Sequence, residues 1–165
     1  MKFLFKFSLG LIILLCAFYY IVLSESKKNL EADPLVKKWI GKEFEIKKGV
    51  YILKYKDDRS ARYHLTLLDN DTHFLQRVEE FLQNPKAWFS CGQSWYRPVI
   101  PGAHFRILKI YKHIKPAVGE FLIIEAIMLD GDYENVKVEI NDLFNYDLWS
   151  FQIFGSKEEF IQALN

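Results

Sequence analysis

Four histidines, at positions 64, 73, 104 and 113, are the side chains here best suited to proton transfer or metal binding near neutral pH. His104 and His113 lie nine residues apart in one apolar-rich run, and strict strand alternation sends an odd separation to opposite faces. Asp69-x-Asp71-x-His73 offers three oxygen or nitrogen ligands from one short segment. No cysteine, Glu-x-x-His pair or glycine-bearing calcium loop supports it, so it reads as a turn, where Asp and Asn are favoured. Glu79-Glu80 and Glu158-Glu159 are adjacent on expected helices, which turns the two carboxylates of each pair in different directions. There is no phosphate-cradling glycine loop, nucleophile elbow or His-Glu-x-x-His helix. The sequence therefore predicts no metal and no cofactor.

Cys91-Gly-Gln-Ser-Trp95 has a serine where a Cys-Gly-Ser/Ala-Cys-Trp pattern would hold its nucleophile. Cys91 is the only cysteine beyond the first 16 residues, so it reads as a small buried hydrophobe. Around it runs Lys86-Ala-Trp-Phe-Ser-Cys-Gly-Gln-Ser-Trp-Tyr-Arg-Pro98. Trp88, Phe89, Trp95, Tyr96 and Arg97 thus flank a segment of loop composition. Aromatics beside arginine bury much area at low entropic cost, which is how binding hot spots work. The competing reading makes the same rings plugs for an aromatic-rich core. As a binding loop, the stretch suits a peptide, a glycan or a protein partner better than phosphate.

The elements that carry these residues are mostly strands. Asp33-Pro34 starts a short helix with Leu35, Val36, Trp39 and Ile40, stopped at Gly41. Beyond it the period changes to alternation: Phe44–Ile46 and Val50–Tyr55 around a Lys-Lys-Gly turn, then Arg62–Leu68. A helix from Thr72 or His73 to Gln83 follows, with Phe74, Val78, Phe81 and Leu82 on one stripe. His104–Lys112, Phe121–Leu129, Val136–Ile140 and Leu148–Phe154 complete the strands. Ser156-Lys-Glu-Glu159 has the form of a capping box, which predicts a closing helix with Phe160, Ile161 and Leu164 inward.

Short strands at this spacing predict an α+β, mostly β body: a small, partly open β-barrel or sandwich with one inserted helix and a C-terminal helix. The run from Val99 to Phe154 resembles a bacterial SH3-like barrel, through Ile100-Pro-Gly102 leading into a strand and the turn Asp142-Leu-Phe144 before the last one. That resemblance covers about a third of the chain and implies a fold alone.

The N-terminus sets the compartment. Phe7 to Leu23 carries no charge, and from Phe3 the apolar stretch is long enough for roughly 31 Å of helix, the hydrocarbon thickness of a bilayer. Its Phe, Leu, Ile and Val residues contribute roughly −3 to −7 kcal/mol on an insertion scale. Residues 1–24 are accordingly expected to be a retained single-pass anchor contacting lipid through residues 3–23. Its N-terminus is expected in the cytoplasm and the rest exported. Cleavage near Ser24 and secretion is the alternative. Residues 25–40 read as a polar tether with a short helix, and 41–165 as the exported body.

With 22 basic and 21 acidic residues in 165, the chain lacks the basic excess of a nucleic-acid binder. Beyond Lys6 the balance is 20 to 21, which gives the exported part no overall attraction to an anionic membrane surface. A membrane-anchored binding module without catalysis of its own is the function expected. The alternatives are a small envelope enzyme built on scattered residues such as His104, Asp130 and Cys91, and a tethered inhibitor or immunity factor.

Overall fold

A computed structural model describes residues 12–16, 19, 26–55, 62–67, 94–115, 119–147, 150 and 152–164, together with the backbone of 89–91. The protein is mostly β, and its main sheet is open. Residues 12–16 and 19 are helical. The rest of the run 7–23 lies outside the described residues, as do the expected helix at 72–83, Asp69, Asp71, His73 and Trp88. Among the described residues no helix is long and apolar enough to cross a membrane.

The chain enters the fold through β1 (Ser26–Asn29) and α1 (Pro34–Lys37). Asp33 caps α1, its side chain accepting from the Leu35 N–H at 2.9 Å, with Pro34 in the first turn where its missing N–H costs nothing. The helix buries Val36, and the turn after it buries Trp39. Residues 26–40, expected as a tether, therefore pack on the body.

Then follow β2 (Glu43–Ile46), β3 (Val50–Tyr55), β4 (Tyr63–Leu67), β5 (Phe89–Cys91), β6 (Ser94–Pro98), β7 (His104–Lys115), β8 (Gly119–Met128) and β9 (Lys137–Glu139). The last strands are β10 (Phe144–Tyr146), β11 (Ile153–Ser156) and β12 (Ile161–Ala163). The main sheet runs β12-β2-β7-β8-β9-β4-β3-β6-β5, with β1 beside β2 on the same edge of β7; β10 and β11 form a separate pair. Of the described ladders only β4–β9 is parallel. β2 and β3 are joined by three residues, Lys47 to Gly49, yet four strands separate them in ladder order. The sheet must curl to bring them together. The link from β6 to β7 bridges the two: Val99 N–H donates to Val50, Gly102 N–H to Ile46, and Ile46 N–H to Ala103. Gly49 makes the corner at φ +65°, where a side chain would be strained and a Cβ would meet the Phe160 ring at 3.4 Å.

The inner face of the curl is the core. Phe44 stacks on Phe105 at 5.4 Å between centroids and meets Phe144 edge-on at 5.3 Å; Trp39 closes the group edge-on to Phe144 at 5.7 Å. Such geometries add about 0.5–1.5 kcal/mol per pair beyond the area buried. Ile52, Leu65, Ile110, Ile124, Val138 and Ile140 fill the rest. Where β9 stops, Asn141 continues its ladder with a side chain, accepting from Ile124 N–H at 2.9 Å and donating to the Leu122 carbonyl.

Three expectations need correction. The closing helix is absent: Lys157 to Phe160 makes one turn, after which β12 pairs with β2. β2 offers the edge that β12 completes, and ladder hydrogen bonds there outweigh the local helical pattern. Ile161 is buried as expected, but Leu164 is exposed. The strand expected over Leu148–Phe154 is described only from Ile153: Ser150, whose N–H donates to Asp147, and Gln152 lie outside any strand, and residues 148, 149 and 151 are outside the described residues. His104 and His113 share a face. β7 has an extra residue, Leu108, between Ile107 and Lys109, and this bulge shifts the alternation by one.

Candidate functional site

The aromatic stretch is a hairpin, β5 and β6, rather than a loop, and it ends the main sheet. Alternation divides its residues. Trp95 opposes Lys54 and Arg97 opposes Ile52 on the core-side face, while Tyr96 opposes Leu53 and Phe89 on the other. Arg97 is held inside the body. Its guanidinium pairs with Asp132 and lies 5.3 Å from the Tyr133 ring centroid. Burial pushes the Tyr133 hydroxyl up to about 12, with Arg97 opposing, so it keeps its proton at any physiological pH. Trp95 is different: it is 39% exposed, and Tyr55, on the neighbouring strand, is 46% exposed. Of the expected residues the hairpin brings Phe89, Trp95, Tyr96 and Arg97 together in sequence but splits them between two faces. Trp88 lies outside the described residues.

A second feature was hidden from sequence reading. One transverse row runs Lys109, Glu125, Glu139, His64, Leu53, Tyr96 and Phe89 across seven strands from β7 to β5. Its charged half is half-buried, with the Glu125 and Glu139 side chains 17% and 14% exposed. Each carboxylate has its own basic neighbours. Lys109 Nζ lies 3.3 Å from Glu125, and Arg62 and His64 lie 3.6 and 3.5 Å from Glu139. The charges were readable in sequence as wet positions of alternating strands; the register that lines them up was not.

Beside this row is a cleft of about 220 Å³, lined by Lys27, Arg62, Tyr111, Glu125, Lys137 and Glu139 among others. Tyr111 is buried between Lys27 and Lys109, whose ammonium groups lie 5.2 and 5.5 Å from its ring centroid. Burial raises its pKa, the two glutamates raise it further, and Arg62 opposes them. Cations and carboxylates alternating around a small cleft can hold a small polar ligand of mixed charge.

His104 and Asp130 do meet. Asp130 accepts from the His104 backbone N–H at 2.7 Å and contacts its Nδ1 through the other oxygen. The contact raises the His104 pKa. Burial of the Asp130 carboxyl works upward, but the His104 N–H and ring outweigh it and hold the pKa below the usual value. The turn Asp130-Gly-Asp132 thus clamps β7 through His104 and β6 through Arg97. The Cys91 side chain lies outside the described residues. His113 is buried far along β7. No group of three potential metal ligands occurs among the described residues.

Comparison with family models, with curated proteins and with solved structures finds no match.

Proposed function

We propose that this chain is a single-pass membrane protein whose exported domain, a partly open β-barrel, is a binding module for a peptide or protein partner. The observation that carries the reading is Trp95, a large aromatic exposed on β6 of the hairpin that ends the described sheet. A large exposed aromatic is a ready anchor for a partner. Among the described residues β5 is the last strand in ladder order, so an extended segment can add to its edge through backbone hydrogen bonds while Trp95, one strand in from that edge, supplies a side-chain contact. The apolar, uncharged run from Phe7 to Leu23 supports the tether.

The experiment is in-cell crosslinking of the full chain, comparing wild type with the Trp95→Ala variant. Loss of a crosslinked species from a variant with unchanged thermal unfolding supports the reading. A folded variant that keeps every crosslink overturns it.

An enzymatic reading has one observation in its favour, the His104–Asp130 contact, which would orient an imidazole as a general base. Among the described residues no nucleophile stands beside that imidazole to complete a catalytic constellation, so binding is the stronger conclusion.

A further inference from the structure

We propose that the β7–β8 hairpin end of the domain docks on the anionic headgroups of the bilayer that anchors it. The inference rests on the tether reading above and adds a surface to it.

The direction of β1 carries the argument. β1 runs antiparallel to β7, with Ser26 opposite Ile114 and Asn29 opposite Tyr111. Chain entering from the N-terminal side therefore arrives at the end of β7 where Lys115 meets Gly119 across the hairpin, and runs away from it. Three residue steps separate Leu23, the last of the apolar run, from Ser26, a span of at most about 11 Å when extended. If residues 7–23 cross the bilayer, the hairpin end is the part of the body nearest the headgroups. The opposite end of β7, His104, is eleven residues from Lys115, about 36 Å along the strand.

That end is also where cations gather. In the β1–β7 register Lys28 stands opposite Lys112 and Lys27 one residue nearer the hairpin end, and Lys115 follows on β7. Among the described residues four lysines stand there against Glu120, which pairs with Lys112. The exported part is close to neutral overall, yet its local excess of positive charge sits at the end that the topology turns toward the membrane. Lysines held near an anionic surface each favour contact roughly fivefold.

The test uses the full chain, with Cys16 and Cys91 replaced by Ser, reconstituted in vesicles of phosphatidylcholine alone or in an equimolar mixture with phosphatidylglycerol. A fluorophore is placed at Ile114→Cys or, at the far end, at Ile100→Cys, and headgroup-labelled quencher lipid is added. Expected is strong quenching at 114 in the anionic vesicles, weaker quenching in phosphatidylcholine, and little at 100 in either. Neutralising Lys27, Lys28 and Lys115 to Gln should remove the anion-dependent part, with a shift of roughly fivefold per lysine in the docked population. Equal quenching at 114 and 100 in a protein that stays with the vesicles overturns the docking while leaving the tether intact. Quenching at 114 that ignores lipid charge overturns the electrostatic basis. A chain that separates from both vesicle types removes the tether, and the docking falls with it.

Discussion

Glu125 of β8 stands directly across from Glu139 of β9, two carboxylates in register on a half-buried face. Like charges so placed repel, by about 0.2–1 kcal/mol on a sheet surface. Here Lys109 and Arg62 with His64 offset the repulsion from either side. The arrangement gives the cleft its mixed polarity at some cost to stability.

A double-mutant cycle reads that cost. Glu125→Gln and Glu139→Gln each relieve the same repulsion, so relief counted twice in the singles appears once in the double. The double variant should be about 0.5 kcal/mol less stable than the sum of the singles implies, measured by denaturant unfolding at low salt. In high salt the difference should shrink. A coupling of opposite sign would mean the two carboxylates attract through a shared proton.

The His104–Asp130 contact predicts a pH window. Because the folded His104 pKa is raised, the stability it contributes is present below the ordinary value of 6.5 and lost as pH rises through the folded pKa. Because the folded Asp130 pKa is lowered, its contribution is present above 3.8 and lost as pH falls through the folded pKa. Both operate together between about pH 4 and 6.5. The groups are exposed by a third or more, so the effect is at most about 1 kcal/mol. Asp130→Asn should return the His104 titration, followed by NMR, toward its ordinary value and flatten the alkaline limb of the stability profile. An unchanged titration would show that the contact is not made in solution.

Much of this fold was legible in the sequence because alternation survives wherever one strand face is wet, as in Val136–Ile140, and because an apolar run marks a central strand, as in Phe121–Leu129; the structure has strands at both. Phase within β7 was missed, although two apolar doublets, Ile107-Leu108 and Ile110-Tyr111, interrupt its alternation at the bulge. β12 was read as helix because Phe160, Ile161 and Leu164 fit a helical stripe; pairing to β2 outweighed that local pattern. The hairpin β5–β6 was hidden by serine and glycine, which are weak strand formers. The charged row could not be foreseen at all, since it depends on register across strands distant in sequence.

Arg97 and Trp95 should separate cleanly, although they are two residues apart. Arg97 is 15% exposed, paired with Asp132 and packed on Tyr133, so Arg97→Lys should cost about 1–2 kcal/mol because an ammonium cannot reproduce the planar stacking. Trp95→Ala should cost less in thermal unfolding, since much of that ring already faces water. A reversed order would relocate the binding residue.

Phe44 anchors the aromatic group between Phe105 and Phe144 and is fully buried. Phe44→Ala should cost about 3–5 kcal/mol in denaturant unfolding, and Phe44→Leu distinctly less. A loss below 1 kcal/mol would mean the core repacks freely around the vacancy.

The most direct measurement is protease treatment of osmotically opened cells, followed by an alkaline carbonate wash and intact mass of the pelleted chain. The account predicts a full-length product that stays in the pellet in untreated samples and whose body is digested only when protease is added from the exported side. A product shed into the supernatant, shortened by the length of its leader, or shielded from that protease would contradict it.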